Sequence, residues 1–438
     1  MKKSIVVVLL LLAVIVLVSP GIVGRLAEQS MDENLDWAAT ESDEVTITSQ
    51  GFDRGWFSSE GQHRVEMRDG ELRDALTYMM SDGDLAELPV LIIDTRIDHG
   101  LVPVASMARA RGSLAPGLGS AISTLRLEHE GGDTAELPGT IYSEVGLAGE
   151  LKSNLILEPG SFADGGETAH WGAVDIMVTT NPSTNVIGFS GDIEELLLES
   201  SSNEIDVGAI TFEGERQQTR FGIAVGDATL SLKSITIPSD WGTDTLGPIS
   251  ITSSATVDGD QLSGHSTMAL DNLYVGDFGR ANVRVDVSLE GVDGEAVGNI
   301  SRAMDDVDTY TSGDQMMLVL EDDLQALLAT GFQLRFDQFD VIMQPGTISA
   351  RLNIDVAATD VNRFVWTSAV MALDATLDLS IPAELYDYAV SLDPQVSMAV
   401  GMGYLRRNGD VYEMEAAFQN GLLTVNGAPM PIPLPGGN

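Results

Sequence analysis

Long runs of this chain place an apolar residue at every second position, and that spacing limits what it can fold into. Ala281, Val283, Val285, Val287 and Leu289 alternate with Asn282, Arg284, Asp286, Ser288 and Glu290. Ile348, Ala350, Leu352, Ile354 and Val356 alternate with Ser349, Arg351, Asn353 and Asp355. Val396, Met398, Val400, Met402 and Tyr404 recur in the same way, and Val45, Ile47, Val65 and Met67 open the pattern. Successive side chains of a strand point to opposite faces, so strict alternation means one dry face and one wet face, as in antiparallel sheet. At Leu230, Leu232, Ile235 and Ile237 the phase slips by one near Ser234, which reads as a β-bulge. Asp82-Gly83, Asp258-Gly259, Asn408-Gly409 and Asn426-Gly427 read as turns between strands.

Few segments depart from period two. Ser312–Ala329 carries Met317, Leu320, Leu324, Leu327 and Leu328 on one helical face, with Ser312 and Gln315 spaced as a capping box and Gly331 as a stop. Ala296–Asp305 and Ala383–Val390 are further helix candidates. The expected fold is therefore mainly β: long, curved antiparallel sheet with a few helices packed on it. The body, residues 45–438, reads as one β-rich region with a helical interlude around 291–331.

Ahead of the body stands an apolar stretch. Lys2 and Lys3 precede Ser4–Val23, which just reaches the roughly 20 apolar residues that cross a bilayer core. Lysines on its N-terminal side place that end in the cytoplasm. Residues 1–24 are thus expected to be an N-terminal transmembrane helix acting as an uncleaved signal-anchor, with 25–44 a helical stalk and the rest exported. A cleaved signal peptide is the competing reading, and Ile22-Val23-Gly24 makes a poor cleavage site for it. The membrane partner would be met through residues 4–23.

Charge and cysteine content exclude several classes. Asp and Glu number 66 against 23 Lys and Arg, a net charge of −43, and lysine stands only at positions 2, 3, 152 and 233. Such a surface is expected to repel nucleic acid and anionic lipid headgroups rather than steer to them. Its acids are spread along the whole chain, which reads as adaptation to salt, a halophilic pattern, more than as one acidic binding face. With no cysteine, disulfides, zinc–thiolate sites and thiol catalysis are ruled out.

Candidate chemistry is sparse. His63, His99, His129, His170 and His265 are far apart in sequence, with no helical metal-binding pair. Asp82-Gly83-Asp84 and Asp258-Gly259-Asp260 lack the further oxygen ligands of a calcium loop. Gly188-Phe189-Ser190-Gly191 misses the last glycine of a nucleophile elbow. Gly401-Met402-Gly403 lacks the third glycine and following helix of a dinucleotide loop. No catalytic, metal or cofactor residue is assigned, and no enzyme activity is expected. Trp56, Phe57, Trp171, Trp241 and Trp366 are the large aromatic anchors.

Gly55-Trp56-Phe57-Ser58-Ser59, preceded by Phe52 and Arg54, resembles the signature turn of the YdgA-like family of uncharacterised bacterial envelope proteins. Ile97-Asp98-His99-Gly100 is similar to that family's His-Gly-Pro segment, with Leu101 where the proline usually stands and Pro103 two residues later. Trp171-Gly172 falls where a Trp/Gly element is expected. Gly403-Tyr404-Leu405, Tyr412 and the stretch Gly421-Leu422-Leu423-Thr424-Val425-Asn426-Gly427 resemble the family's C-terminal ending. The resemblance spans essentially the whole chain and carries no catalytic residue. It implies a protein held in the inner membrane and facing the periplasm. The shared residues read as structural: glycines at turns, aromatics plugging a sheet end, serines satisfying nearby backbone.

A sheet with one apolar face must bury it under helices, close on itself, or leave a groove. A groove would take lipid or another apolar ligand. The alternative is a scaffold or assembly factor that binds another envelope protein by its sheet edges. A hydrolase, which would need a His and a carboxylate beside a serine or metal in one pocket, is the remote option.

Overall fold

The computed structural model describes residues 45–54, 58–68, 90–99, 117–128, 134–146, 149–164, 167–181, 183–199, 204–239, 242–305, 313–359 and 365–430. The expected membrane anchor and stalk, residues 1–44, lie outside these. Among the described residues no helix is long and apolar enough to cross a membrane. The fold is mainly β, as the alternation requires. It divides into two compact units, residues 1–217 with 231–245, and residues 218–230 with 246–438. The segment around 291–331 lies inside the second unit.

The strands of the first unit are β1 (Val45–Arg54), β2 (Ser58–Met67), β3 (Val90–His99), β4 (Gly117–Glu128), β5 (Thr134–Gly146), β6 (Leu151–Leu157), β7 (Gly160–Asp164), β8 (Glu167–Trp171), β9 (Val174–Asn181), β10 (Val186–Ile193), β11 (Leu196–Glu199), β12 (Glu204–Val207) and β13 (Ile210–Gln218). After β14 (Ala224–Leu232) the chain returns to it for β15 (Ile235–Ser239) and β16 (Gly242–Leu246). One sheet runs antiparallel in the order β1-β2-β3-β4-β5-β6-β9-β10-β13. A second has the order β7-β8-β11-β12-β15-β16. The chain passes between them at two-residue corners: Glu158-Pro159, Gly172-Ala173, Glu194-Glu195, Gly208-Ala209 and Lys233-Ser234.

Four of these corners are bonded in two pairs. Gly172 N–H donates to Glu195 O at 3.0 Å and Glu194 N–H to Ala173 O at 3.0 Å. Gly208 N–H reaches Ser234 O at 2.8 Å and Lys233 N–H reaches Ala209 O at 2.8 Å. The phase slip near Ser234 is thus a corner where the chain changes sheets, not a bulge. Two residues outside the ladder shift the alternation just as a bulge would.

Inward-facing residues of β1–β10 form the core of this unit. Ile47, Val65, Leu91, Ile93, Leu125, Leu127, Leu155, Leu157, Val174, Ile176 and Ile193 are all 0–7% exposed and pack in one cluster. At roughly 1.5–3 kcal/mol per fully buried aliphatic side chain, this cluster is a major stabilising element.

The second unit contains β17 (Ile249–Asp258), β18 (Gln261–Tyr274), β19 (Arg280–Asp293), β20 (Phe332–Met343), β21 (Gly346–Val356), β22 (Leu373–Pro382), β23 (Arg406–Asn408), β24 (Val411–Gln419), β25 (Leu422–Val425) and β26 (Ala428–Met430). Pairing is antiparallel along β17-β18-β19-β20-β21-β22-β24-β25-β26, with β23 on β24. Helices α1 (Gly294–Asp305) and α2 (Gly313–Thr330) join β19 to β20, α3 (Trp366–Ala372) precedes β22, and α4 (Ala383–Leu392) follows it. The three expected helices are present within two or three residues of their predicted bounds; Ser312 of the proposed capping box lies outside the described residues. The hairpin turns Asn420-Gly421 and Asn426-Gly427 hold φ of 52°, 74°, 51° and 78°. Asn-Gly adopts such left-handed pairs readily, and their twist matches the flanking strands.

One expected strand is not a strand. Val396–Tyr404 forms a 3-10 turn, Pro394–Ser397, and a short helix α5, Met398–Gly401. Pro394 supplies a helical φ at the start, and the Asp393 carboxylate accepts from Gln395 N–H at 2.8 Å. Gly403, at φ 80°, ends it. Alternation over nine residues flanked by proline and interrupted by two glycines was weaker evidence than the punctuation. Gly401-Met402-Gly403 accordingly caps a helix rather than lying in a strand.

Candidate apolar ligand surface

In the second unit the register carries one face of the sheet across strand after strand without a charge. Ile251 pairs with Met268, Met268 with Val285, Val285 with Phe339, Phe339 with Ala350, Ala350 with Leu379, and Leu379 with Met414. A second row runs Val287, Phe336, Leu352, Leu377, Ala416, Val425. Paired residues share a face, so these rows are neighbours on one apolar surface. The first crosses seven strands. At about 4.8 Å per strand it spans about 29 Å, against about 15 Å for the acyl layer of one leaflet.

Among the described residues nothing closes this surface over. Ile251, Met268, Val285, Phe336, Leu352, Leu377 and Leu379 are only partly buried, and Phe339 is 38% exposed. The like residues of the first unit are almost wholly buried. Helices cover its two ends on β21–β24. Leu328 of α2 and Ala372 of α3 pack with Phe332, Ile354, Val356 and Leu373. Tyr386 of α4 packs with Leu379, Ile381, Tyr412 and Met414. Phe336, Leu352, Leu377 and Ala416 lie between the two caps. The opposite face carries Arg284, Asp286, Arg335, Arg351, Asp374, Asp378 and Glu415, as the alternation demands.

The polar face supplies the nearest approach to a hydrolase. In a depression of about 520 Å³, His265 Nε2 lies 2.7 Å from Asp286 Oδ1, and Ser254 and Ser288 are the register partners of His265. Both members of the pair are open to solvent. His265, Asp286, Ser254 and Ser288 all stand within the strand ladders of β17–β20, not at a helix N-terminus or a turn that would aim backbone N–H groups at an oxyanion. Gly188-Phe189-Ser190-Gly191 lies inside β10, not on a strand-to-helix turn. Among the described residues no group of His, Asp and Glu could hold a metal ion.

Residues marked by the family resemblance fall in separate places. Gly55, Trp56, Phe57 and Gly100 lie outside the described residues. Ser58 begins β2, His99 ends β3, and Ser59 is buried. Trp171 ends β8, donates from Nε1 to Glu158 O at 3.0 Å, and leaves no room for a side chain at Gly160. Gly172 forms the next corner, where a Cβ would stand 2.7 Å from Glu194 Cβ.

The C-terminal set does come together. Asn426 donates from Nδ2 to Gly403 O at 2.9 Å and Tyr404 O at 3.0 Å, and its Oδ1 accepts from Glu415 N–H at 3.0 Å. Leu405 and Tyr412 pack with Tyr386, whose ring centroid is 4.0 Å from that of Tyr412. Gly421 and Gly427 complete the two turns. Asn426→Ala should therefore cost about 2–4 kcal/mol, from three lost side-chain hydrogen bonds at about 0.5–1.5 kcal/mol each. Chemical denaturation of the second unit measures it, and Asn426→Asp, which keeps the acceptor but sets a carboxylate oxygen against the carbonyls of Gly403 and Tyr404, should not recover the loss.

By sequence spacing alone His63 has no metal-binding or catalytic partner. It is fully buried on the inner face of β2, opposite Ile93, and neither ring nitrogen has a hydrogen-bond partner. Thr95, Ser123, Ser143 and Ser153 continue a buried polar line across β3–β6, but they pair among themselves, Thr95 Oγ1 with Ser123 Oγ and Ser143 Oγ with Ser153 Oγ, both at 2.8 Å. Burial holds the imidazole pKa below its ordinary 6.5.

Comparison with known proteins agrees with the resemblance. The profile of a family described as "Bacterial protein of unknown function (DUF945)" matches residues 1–433. Protein YdgA of Escherichia coli (strain K12) is 24% identical over 276 residues, covering 60% of this chain and 52% of that protein. The match thus spans about half the length of that relative. No solved structure matches.

Proposed function

The chain belongs to DUF945, a family of bacterial proteins of unknown function, and on that premise we propose that it is a non-enzymatic, inner-membrane-anchored periplasmic protein that binds lipid acyl chains along the apolar face of its second unit. The observation that carries this reading is the half-covered face itself: uncharged, continuous over seven strands, and longer than an acyl chain. An acyl chain suits it because such a ligand asks for no hydrogen bonds from the surface. It gains about 0.8 kcal/mol per buried methylene, roughly 10 kcal/mol before ordering costs for a dozen. The run Ser4–Val23 supports the location, since it would hold the body at a membrane surface.

The test is lipid analysis of the body. A protease site placed after Thr40 would release it from membranes without detergent, in salt, for extraction and mass spectrometry. Stoichiometric phospholipid or fatty acid, well above a control exported protein, is the expected result. A folded, monodisperse body free of lipid would sink the reading and leave a protein partner as the alternative.

A further inference from the structure

Twelve consecutive residues, Pro394–Leu405, carry no charge, in a chain with a net charge of −43. They form the 3-10 turn, α5 and the loop after it, and they present two apolar faces. Val396 and Ala399 point inward, to the cluster of Tyr386, Leu405 and Tyr412. Met398 and Met402 point outward, 52% and 56% exposed, and Leu392 at the end of α4 is 70% exposed. Soluble surfaces seldom hold several large apolar side chains side by side without a use for them.

The segment is held rigidly. Met402 N–H donates to Met398 O at 2.8 Å, Tyr404 N–H to Ala399 O at 2.8 Å, and Asn426 grips the carbonyls of Gly403 and Tyr404. The backbone that carries the outward methionines is therefore held in place, unlike that of a loose loop. Directly after it come Arg406 and Arg407, both exposed. Among the described residues neither of these two forms a salt bridge with a carboxylate; Arg407 Nε donates to Gly409 O at 3.2 Å, and its guanidinium lies 5.9 Å from the centre of the Tyr412 ring. A rigid apolar tip rimmed by two exposed guanidinium groups without a carboxylate partner has the chemistry of a bilayer surface: methionine and leucine below the headgroups, arginine at the phosphates.

We propose that Leu392–Arg407 docks on a lipid bilayer. The inner side of the tip packs on Leu379, Ile381 and Met414, where the apolar face of the sheet ends. Docking would thus bring that end of the face to the membrane, and the tip becomes the place where an acyl chain passes between bilayer and sheet. The passage rests on the acyl-binding reading above; the docking does not.

The chain has no cysteine, so a single Met402→Cys carries one fluorophore cleanly. The full chain would be reconstituted in vesicles of phosphatidylethanolamine and phosphatidylglycerol, with and without brominated acyl chains. The label at 402, and a second at Met398→Cys, should shift to the blue and be quenched by the brominated lipid. A label at Thr376→Cys, exposed on the polar face, should not. Arg406→Glu with Arg407→Glu should lower the quenching at least tenfold. A label at 402 that stays in water, or one shielded only by cross-linkable contact with a second copy, overturns the proposal. Lipid carried by the released body with an unquenched tip would remove docking alone; a quenched tip with an empty body would remove the acyl site alone.

Discussion

Glutamate at positions 339 and 377 should strip bound lipid from the released body while leaving its fold almost untouched. Phe339 is 38% exposed and Leu377 only partly buried. In the unliganded protein a glutamate at either place can keep its carboxylate in water, and the cost should stay within about 1 kcal/mol each, near the range of surface substitutions. With an acyl chain laid across the same rows the carboxylate loses that water. An unpaired charge against hydrocarbon costs several kcal/mol, so lipid content should fall tenfold or more. Asp378→Asn, on the opposite face, should change nothing. The contrast lies in the pair of readouts. A filled core would lose stability first and carry no lipid to lose; a groove loses lipid first. Unchanged lipid content in the double variant, with normal unfolding, would place the ligand elsewhere.

The same alternation produced two different environments, and this marks where the sequence stops being informative. Val174 and Ile176 in β9 are 6% and 1% exposed, whereas Val283 and Val285 in β19, with the same spacing and residue types, are only partly buried. Alternation reports which face is apolar. It does not report what covers that face, because the cover comes from segments distant in sequence. Helices α1, α2 and α4 were legible because each has a 3.6-residue period of its own. The corners were half legible: the slip at Ser234 is visible, but a corner and a bulge add residues to the pattern alike. Val396–Tyr404 misled because a short run can fit period two by chance, while Pro394 and Gly403 spoke for a turn. The grip of Asn426 on Gly403 and Tyr404 joins residues more than 20 positions apart, and only the family resemblance had marked them together. For His63 the signal lies in the alternation itself. Gly61, His63, Val65 and Met67 share one parity, so the histidine had to face inward with Val65.

His63→Leu is expected to stabilise the first unit. The imidazole is fully buried with both nitrogens unpartnered, and a buried polar group without a hydrogen bond costs about 1–3 kcal/mol. Leucine is close to histidine in volume, and its neighbours across the ladders include Ile93. The gain should be of that size at pH 8 and should widen as the medium is acidified. Burial keeps the folded-state pKa below the ordinary 6.5, so from about pH 6.5 downward the unfolded chain takes up a proton that the folded chain does not. The contribution of the neutral imidazole is thus intact above the unfolded pKa and is lost as pH falls toward the folded one, at no more than about 1.4 kcal/mol per pH unit. Parallel denaturant titrations of wild type and His63→Leu at pH 8, 7, 6 and 5 isolate that term from the many carboxylates, which both proteins share. Curves that diverge below pH 6.5, with the variant above throughout, are the expected result. A variant less stable than wild type by a constant margin would mean that the ring nitrogens are satisfied in solution by a bound polar group. The inner face of the first unit would then hold a ligand site of its own, with His63, Thr95 and Ser123 as the groups to substitute next.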